Sequence, residues 1–366
     1  MTETRNIRSL GIEQPGRMCV HEYQEGPLSD GQFRVSTLYS GFSAGTELTF
    51  LKGSNPYLTS RWDDDYGVFV PGEPSARYPL PFLGYMETGR ITESRSSAMR
   101  AGDIVGMTYG HKTGHTADPR CDFAVVLPRE LEPILGIYVA QMGPICANGL
   151  LHAAADLGGT DVRSLADGVM GRNVLVIGAG AVGLLTAAFA RHQGAAEVLI
   201  VDPTPFRRKI AEAMGFVALE ESIAWRFCKD RWNHGASDRG ADVVLQCRAK
   251  AASLQEALRA LRPQGTVIDL AFYQGGAETL RLGEEFHHNG LAIRCAQIGR
   301  VPRGLGFAWN RERLARETVN LLLAQGELIR KHMITDIVPF EDAPAFIADL
   351  VRCRRDFLQI VFEVEP

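Results

Sequence analysis

A glycine-rich run in the middle of the chain carries the clearest chemical signal. The run VLVIGAGAVGLL places Gly178, Gly180 and Gly183 at the spacing G-x-G-x-x-G, after an apolar strand-like stretch and before a helical one. Such glycines permit a tight strand-to-helix turn, close approach of the backbone to a pyrophosphate and close helix packing. The helix start at Gly180, Ala181 and Val182 then offers free N–H groups and a positive dipole end to the phosphates. The run therefore predicts a dinucleotide site.

A carboxylate follows at the end of the next apolar run. Asp202 lies 24 residues after Gly178, where a carboxylate accepts hydrogen bonds from both ribose hydroxyls of NAD and repels the 2′-phosphate of NADP. Arg207 and Arg208 lie just beyond it, and a guanidinium there suits that phosphate instead. We expect NAD as the cofactor, with NADP as the alternative if the arginines prevail.

The elements that must position these residues alternate between strand-like and helix-like character. From about residue 150 onward, short apolar runs are separated by amphipathic stretches, which predicts a doubly wound parallel sheet. Roughly the first 130 residues are instead rich in glycine, proline and short β-type runs, which predicts a β-rich unit. Between the fourth and fifth apolar runs, Ser253 followed by Glu256 predicts a capping box at a helix start. The six apolar runs are Val174–Ile177, Val198–Val201, Phe216–Leu219, Asp242–Leu245, Thr266–Leu270 and Leu291–Ile298.

Two segments of the β-rich part carry further motifs. Ser40–Leu48 reads SGFSAGTEL and Gly84–Gly89 reads GYMETG. With the glycine run, these segments give the chain a resemblance, over nearly its whole length, to the medium-chain dehydrogenase/reductase superfamily, whose corresponding segments are S-G-I-C-G-T-D and G-H-E-x-x-G. The resemblance implies an α/β fold with a GroES-like, β-rich catalytic domain over residues 1–149 and 299–366. It also implies a Rossmann domain over residues 150–298.

The departures from the family pattern concern the metal. Zinc-dependent members of the resembling family hold their catalytic zinc with a cysteine in the first segment and with histidine and glutamate in the second. Here the cysteine position falls on Ser43 or Ala44, the histidine is Tyr85 and the glutamate is Met86. Serine, alanine and methionine are not useful zinc ligands. The seven cysteines contain no C-x-x-C pair, and the family's structural zinc lobe is missing too. We expect a zinc-free member.

Without zinc, alcohol/ketone chemistry needs a hydrogen-bond donor that polarises the substrate oxygen and passes a proton. Thr46 matches the family's proton-relaying threonine, with the capping of a turn as the alternative role. Tyr85, at the former histidine position, either donates a hydrogen bond from its phenol or packs in the emptied metal site. His111 and His115 lie in a segment that borders the substrate cleft in the resembling proteins, and His111 is a candidate for proton transfer. The alternatives are two surface histidines or a metal pair, for which no third ligand is evident nearby.

One segment is longer than is usual between the two catalytic motifs of the resembling family. Residues 52–80 contain several aromatic side chains together with Asp63, Asp64 and Asp65. Aromatic rings stack on sugar faces and carboxylates bind hydroxyl groups. The segment is therefore either a lid that recognises a polar, hydroxyl-bearing substrate or a variable surface loop.

Composition and charge restrict the partners. The 366 residues carry 39 basic and 43 acidic side chains, a net charge of −4, which argues against nucleic-acid binding. The first residues lack the apolar core of a signal peptide, and the uncharged stretches fit buried elements better than lipid. We expect a cytoplasmic protein without a membrane partner. The resemblance implies a homodimer, in which the strand Leu291–Ile298 pairs with its twofold mate.

These observations predict a zinc-independent, NAD(P)-dependent oxidoreductase. We expect it to interconvert an alcohol and a ketone on a small polar metabolite, such as a sugar, a cyclitol or a secondary-metabolite intermediate. Two alternatives stay open, because a fold alone does not decide among functions. They are NAD(P)H-dependent reduction of an activated C=C bond and cofactor binding without turnover.

Overall fold

The computed structural model describes residues 4–353 and 355–364. The chain divides into two compact units, one comprising the residues up to Gln141 together with those from Ile334 onward, and the other comprising Met142–Met333. In the part of the chain that the structure describes, no helix has the length and apolar character needed to cross a membrane.

The strands and helices follow in chain order. The strands are β1 (Arg5–Gln14), β2 (Arg17–Glu25), β3 (Phe33–Phe42), β4 (Ser60–Asp63), β5 (Val68–Pro71), β6 (Glu87–Ser94), β7 (Ile104–Met107), β8 (Gly114–Ala117), β9 (Val125–Val126), β10 (Asn173–Ile177), β11 (Glu197–Val201), β12 (Val217–Leu219), β13 (Asn233–Gly235), β14 (Asp238–Arg239), β15 (Ala241–Gln246), β16 (Leu261–Asp269), β17 (Ala292–Cys295), β18 (Ile334–Pro339) and β19 (Gln359–Glu363). The helices are α1 (Ala44–Leu51), α2 (Met142–Gly158), α3 (Ala181–His192), α4 (Pro205–Ala213), α5 (Glu221–Arg231), α6 (Ala251–Ala260), α7 (Arg311–Met333) and α8 (Ala343–Cys353).

The first unit is built on β3. This strand pairs antiparallel with β19, β6 and β8 within a seven-stranded sheet. Six of its strands lie in the order β18-β19-β3-β6-β7-β9, and the seventh, β8, pairs with β3 outside this order. Because β19 comes from the end of the chain, the last residues complete the sheet that the first part begins. The carboxyl end of β3 leads almost directly into α1, so Ser40 of the strand and Ser43 at the helix start are held by the same rigid segment.

The second unit contains the doubly wound parallel sheet that the sequence predicts. Its six strands lie in the order β12-β11-β10-β15-β16-β17, and each of the six apolar runs contributes one of them. The chain passes from β10 to β11 on one side and returns to β15 on the other side of β10. That reversal creates a crevice at the carboxyl ends of β10 and β15, where sheets of this kind bind ligands. The predicted α/β fold class is confirmed.

Two details differ from the sequence prediction. The second compact unit begins at Met142 rather than at residue 150 and extends to Met333 rather than to residue 298. The reason is that α7 packs closely on α2. A Cβ added to Gly143 of α2 would lie only 2.1 Å from Cγ2 of Thr318 of α7. The capping box at Ser253 is wrong, since α6 already begins after Lys250 and the Ser253 hydroxyl donates to Glu221.

The turn between β10 and α3 gives a prediction on stability. A Cβ on Gly183 would lie 1.6 Å from the carbonyl oxygen of Gly178, whereas a Cβ on Gly180 would meet only Nη1 of Arg207, at 3.8 Å. Gly183→Ala should therefore cost about 1–3 kcal/mol of stability through overpacking, and Gly180→Ala should leave the melting temperature unchanged. Thermal unfolding followed by circular dichroism checks this, and equal melting temperatures for the two variants would contradict it.

Candidate active site

Three hydroxyl groups of the first unit meet at the start of α1. The Tyr85 hydroxyl forms a hydrogen bond with Oγ of Ser43 and lies 3.5 Å from Oγ1 of Thr46. Ser43 is buried, while Tyr85 and Thr46 are partly exposed. The structure thus brings together two of the predicted catalytic residues and adds a third hydroxyl, from one of the two positions that the family resemblance aligns with a metal-binding cysteine.

The local sequence explains why this helix begins where it does. Ser43 is the N-cap residue of α1, and its carbonyl oxygen accepts hydrogen bonds from the N–H groups of Thr46 and Glu47. Its own N–H donates to Oε1 of Glu47 at 2.7 Å. A carboxylate in the first turn satisfies a backbone donor there and suits the positive end of the helix dipole. Glu47 thereby fixes the backbone that carries Ser43 and Thr46.

The residues at the former metal-ligand positions do not fit a zinc ion. Met86 is fully buried. Its side chain packs in the core against Gly41, where an added Cβ would lie only 3.1 Å from Cε of Met86. A phenol and an aliphatic hydroxyl offer no thiolate, imidazole or carboxylate donor. Among residues 4–353 and 355–364, no group of three histidine, cysteine, aspartate or glutamate side chains is arranged to hold a metal.

His111 lies in the interior of the first unit and not on a substrate-facing surface. Its side chain is fully buried, its Nε2 donates to Oε2 of Glu47 at 2.6 Å, and its Nδ1 lies 2.6 Å from Oγ of Ser40. Ser40 in turn donates to Oε1 of Glu87 at 3.1 Å. The sequence predicted His111 as a proton donor to substrate. The structure instead gives both ring nitrogens protein partners and places neither near solvent.

This burial changes the ionisation of the cluster. Burial raises the pKa of Glu87 to about 7, against the lowering effect of the charge on His111. Burial alone lowers the pKa of His111, but the charge and hydrogen bond of Glu47, with the charge of Glu87, raise it above its usual value. Burial also raises the pKa of Tyr85, and its hydrogen bonds with Ser43 and Thr46 act in the opposite direction. The Tyr85 phenol is therefore protonated at neutral pH.

Sequence reasoning did not identify the cluster that Ser40, Glu47 and Glu87 form with His111. No local pattern links these residues, because Glu47 and His111 are 64 positions apart. One signal was available in Gly84, which has a φ of +93° and whose Cβ would lie 2.8 Å from the His111 ring. Because glycine has no Cβ, Gly84, the residue before Tyr85, leaves room for the His111 ring.

The second unit presents the glycine turn at the carboxyl end of β10. Gly178 has a φ of +101°, which favours glycine, and Gly180 is the N-cap residue of α3. The first N–H groups of α3, including those of Ala181, Val182 and Gly183, have no carbonyl partner within the helix. With the open position at Gly180, this turn fits the pyrophosphate of a dinucleotide.

Asp202 is buried at the end of β11, with 1% of its surface exposed. Its Oδ2 accepts a hydrogen bond from the N–H of Ala179 at 2.9 Å, and its Oδ1 accepts one from the N–H of Thr204 at 2.8 Å. Nη1 of Arg207 lies 3.9 Å from Oδ2, and that side chain is 35% exposed. Both predicted cofactor residues therefore lie beside the glycine turn, but the carboxylate is bonded to backbone and the arginine is the group that reaches solvent.

Part of the segment over residues 52–80 folds into a hairpin. Trp62 of β4 pairs with Phe69 of β5, with ring centroids 5.1 Å apart, and Tyr57 packs on Phe69 at 5.6 Å. All three rings are about two-fifths exposed. Three aromatic side chains of this segment thus form one partly exposed surface on the first unit.

Known proteins match this chain in sequence and in fold. Residues 181–303 match the family model of zinc-binding dehydrogenases, and this region includes none of Ser43, Tyr85 and Met86. The D-guloside 3-dehydrogenase of Escherichia coli (strain K12) is 26% identical over 345 residues, which cover 92% of this chain and 94% of that protein. The alcohol dehydrogenase of Thermotoga maritima has a TM-score of 0.72 at 17% identity, with 99% of this chain and 100% of that chain covered. A short chain alcohol dehydrogenase of Escherichia coli CFT073, complexed with NADH, has a TM-score of 0.70 at 15% identity, with 98% and 99% covered.

The raised pKa of Glu87 gives a prediction on pH. Its ordinary value is 4.5 and its value in the folded protein is about 7, so the folded state binds the proton more tightly than the unfolded state. The stability that this proton contributes is complete below about pH 4.5 and is lost as the pH rises through about 7. The melting temperature of the wild type should therefore fall over that range, and Glu87→Gln should flatten the fall.

Melting temperatures from pH 5 to pH 9 for the wild type and Glu87→Gln measure this effect. Glu93→Gln removes a carboxylate from the same strand without touching His111 and is the matched control. Parallel curves for the wild type and Glu87→Gln would contradict the prediction.

Proposed function

Because this chain belongs to the medium-chain dehydrogenase/reductase superfamily and is an oxidoreductase, we propose that it interconverts an alcohol and a ketone on a sugar or glycoside. The first unit would bind the substrate and the second a nicotinamide dinucleotide. We further propose that the reaction does not use zinc. The observation that carries this proposal is the cluster of Ser43, Thr46 and Tyr85 hydroxyls at the start of α1.

The substrate class is supported from two sides. A relative that aligns with nearly the whole chain is named for a D-guloside, which is a sugar derivative with several hydroxyl groups. The partly exposed rings of Trp62, Phe69 and Tyr57 form a surface of the kind that stacks on sugar faces. A polar, ring-shaped substrate fits both observations better than a simple aliphatic alcohol.

The Tyr85 hydroxyl is the proposed oxygen-polarising group. Its raised pKa keeps the phenol protonated at neutral pH, so it donates a hydrogen bond to the substrate carbonyl oxygen and then the proton to the developing alkoxide. The hydroxyls of Ser43 and Thr46 stabilise the phenolate by donating to it, and Thr46, which is partly exposed, returns the proton from solvent. In the direction of oxidation the same groups accept the proton of the substrate alcohol.

The dinucleotide is proposed to bind the glycine turn of the second unit. Gly178, Gly180 and the N–H groups at Ala181, Val182 and Gly183 would hold its pyrophosphate. When bound, a nicotinamide ring supplies or accepts a hydride. We propose NAD as the preferred cofactor because the carboxyl group of Asp202 lies at the end of β11, and we expect only a modest preference because Nη1 of Arg207 lies 3.9 Å from it.

A second copy of the chain is the proposed partner. β17 is the last strand of the six-stranded sheet within the described residues, and its Ile293 and Cys295 are exposed. An exposed strand edge of this kind favours pairing with another strand. The homodimer stays a prediction, and light scattering at micromolar concentration tests it.

Zinc-independent turnover is the first prediction of this proposal. The purified protein should reduce NAD when supplied with D-glycosides or free sugars, should use NADP less well, and should keep its rate in the presence of a chelator. Absorbance of the reduced cofactor measures the rate, and elemental analysis measures zinc. Stoichiometric zinc with loss of activity on chelation would overturn the metal-free mechanism. Turnover of enones alone would replace the proposal by reduction of a C=C bond.

Tyr85→Phe is the second prediction. Removing a donor aimed at a developing oxyanion costs about 10²–10³ in rate, so kcat should fall by that factor. NAD affinity and melting temperature should stay almost unchanged, because the ring still packs. Thr46→Val should give a smaller loss. Tyr66→Phe is the control, since Tyr66 is 84% exposed. An unchanged kcat for Tyr85→Phe would remove Tyr85 from the mechanism.

A further inference from the structure

A chain of four polar side chains lies in the interior of the first unit, beside the hydroxyl cluster. It runs from Glu47 through His111 and Ser40 to Glu87. His111, Ser40 and Glu87 are fully buried, and Glu47 is 2% exposed. Buried ionisable groups are costly unless they are fully hydrogen-bonded, so a cluster of this kind needs an explanation beyond packing.

We propose that Glu47 and His111 are positioning residues that hold Ser43, and through Ser43 the Tyr85 hydroxyl, in the geometry required for proton donation. This inference rests on the function proposed above. The connection is direct, since Oε1 of Glu47 accepts the N–H of Ser43 at 2.7 Å while Oε2 accepts Nε2–H of His111 at 2.6 Å. One oxygen of the Glu47 carboxylate therefore binds Ser43, and the other oxygen is held in place by His111.

The protons of the cluster can be distributed in two ways, and both keep the hydrogen bonds of Glu47 with Ser43 and His111. Ser40 has a single hydroxyl proton. If Ser40 donates it to Glu87, then Nδ1–H of His111 donates to Ser40 and the imidazole carries both protons. If Glu87 carries a proton and donates it to Ser40, then Ser40 donates to Nδ1 and the imidazole is neutral.

Both forms contain the same number of protons and differ only in where one of them lies. In both forms Nε2–H of His111 donates to Oε2 of Glu47, and Oε1 of Glu47 accepts the Ser43 N–H. The hold on Ser43 is therefore independent of how Glu87 and His111 share their proton. That independence suits a positioning element, since it keeps Ser43 fixed while the phenol nearby loses and regains a proton.

The cluster also connects segments that are far apart in the chain. Glu47 belongs to α1, Ser40 to β3 and Glu87 to β6, while His111 lies on a connecting segment whose backbone N–H donates to Leu83 O at 2.6 Å. Ser43 directly precedes α1, and Tyr85 lies two residues before β6. The pairing of β3 with β6 and the hydrogen bond from the Gly41 N–H to Met86 O at 2.7 Å bring their backbones together, and the cluster adds a hydrogen bond to the Ser43 N–H itself.

The test uses Glu47→Gln, His111→Gln and the double variant Glu47→Gln/His111→Gln, with His115→Gln as the matched control. His115 lies on β8, outside the cluster. A misplacement of about 1 Å costs on the order of 10²-fold in rate, so His111→Gln should lower kcat about 10- to 100-fold. KM for the sugar and the dissociation constant of NAD should change less than about twofold, because binding groups are untouched.

The double variant separates positioning from folding. His111→Gln leaves the charge of Glu47 buried and unpaired, whereas two neutral amides hydrogen-bond to each other and still offer an acceptor to the Ser43 N–H. The double variant should therefore fold even where a single variant does not, and it should recover most of the lost kcat. A folded double variant with no recovery, or a His111→Gln variant with wild-type kcat, would overturn the proposal.

A second readout does not depend on activity. Hydrogen exchange measured on a peptide covering residues 43–51 should be faster in Glu47→Gln and His111→Gln than in the wild type and in His115→Gln. If the wild type turns over no sugar, the proposed function fails, and this exchange still decides whether the cluster holds Ser43. Unchanged exchange in both single variants would show that it does not.

Discussion

Two ionisable side chains enclosed in protein must find all of their hydrogen-bond partners there, and the interior of the first unit contains such a pair. Glu47 and His111 are cut off from solvent, so every lone pair and N–H that they present must be matched by a neighbour. Gly84 is the residue that admits the imidazole, and Ser40 is the hydroxyl that meets its second nitrogen. The start of α1 belongs to the same arrangement, because the N–H of Ser43 is one of the donors that Glu47 accepts.

The two units therefore hold their functional groups by different physical means. The hydroxyls of the first unit are fixed by side chains that come from several distant segments, and each depends on its neighbours. The glycine turn of the second unit is fixed mainly by backbone, since the helix that follows aims its N–H groups, and the Asp202 carboxylate supports the turn by accepting the N–H of Ala179. A cooperative side-chain cluster is sensitive to single substitutions, whereas a backbone cradle is sensitive mainly to the loss of its glycines.

This difference also explains how far the sequence could predict the molecule. The glycine turn and the six strands of the parallel sheet were predictable because they are local patterns, with apolar runs of strand length and glycines at a fixed spacing. The closeness of Thr46 to Tyr85 was predictable only through the family resemblance. His111 was interpreted as a residue of the cleft because its burial depends on Glu47 and Glu87, which no sequence spacing connects to it.

Where a local pattern did mislead, tertiary contacts decided. Ser253 has the residue type and spacing of a helix cap, but its hydroxyl serves a cluster with Glu221 and Arg248. Residues 299–333 belong to the second compact unit because α7 packs on α2 and α3, whereas the domain boundary at residue 299 was taken from the family resemblance. The boundary of a compact unit in the chain depends on which helices and strands pack on one another, and the sequence indicates that packing only indirectly.

The two backbone hydrogen bonds of Asp202 have a consequence for how such a protein can diverge. The Asp202 carboxylate links the glycine turn to the end of β11, so it stabilises the turn in addition to lying beside the cofactor position. Exchanging it for a small neutral residue, the simple route to a different nicotinamide preference, would loosen the cradle at the same time. Selection for a new cofactor would therefore act first on Arg207, whose side chain is solvent-exposed and can change in length or charge without disturbing the backbone beneath it.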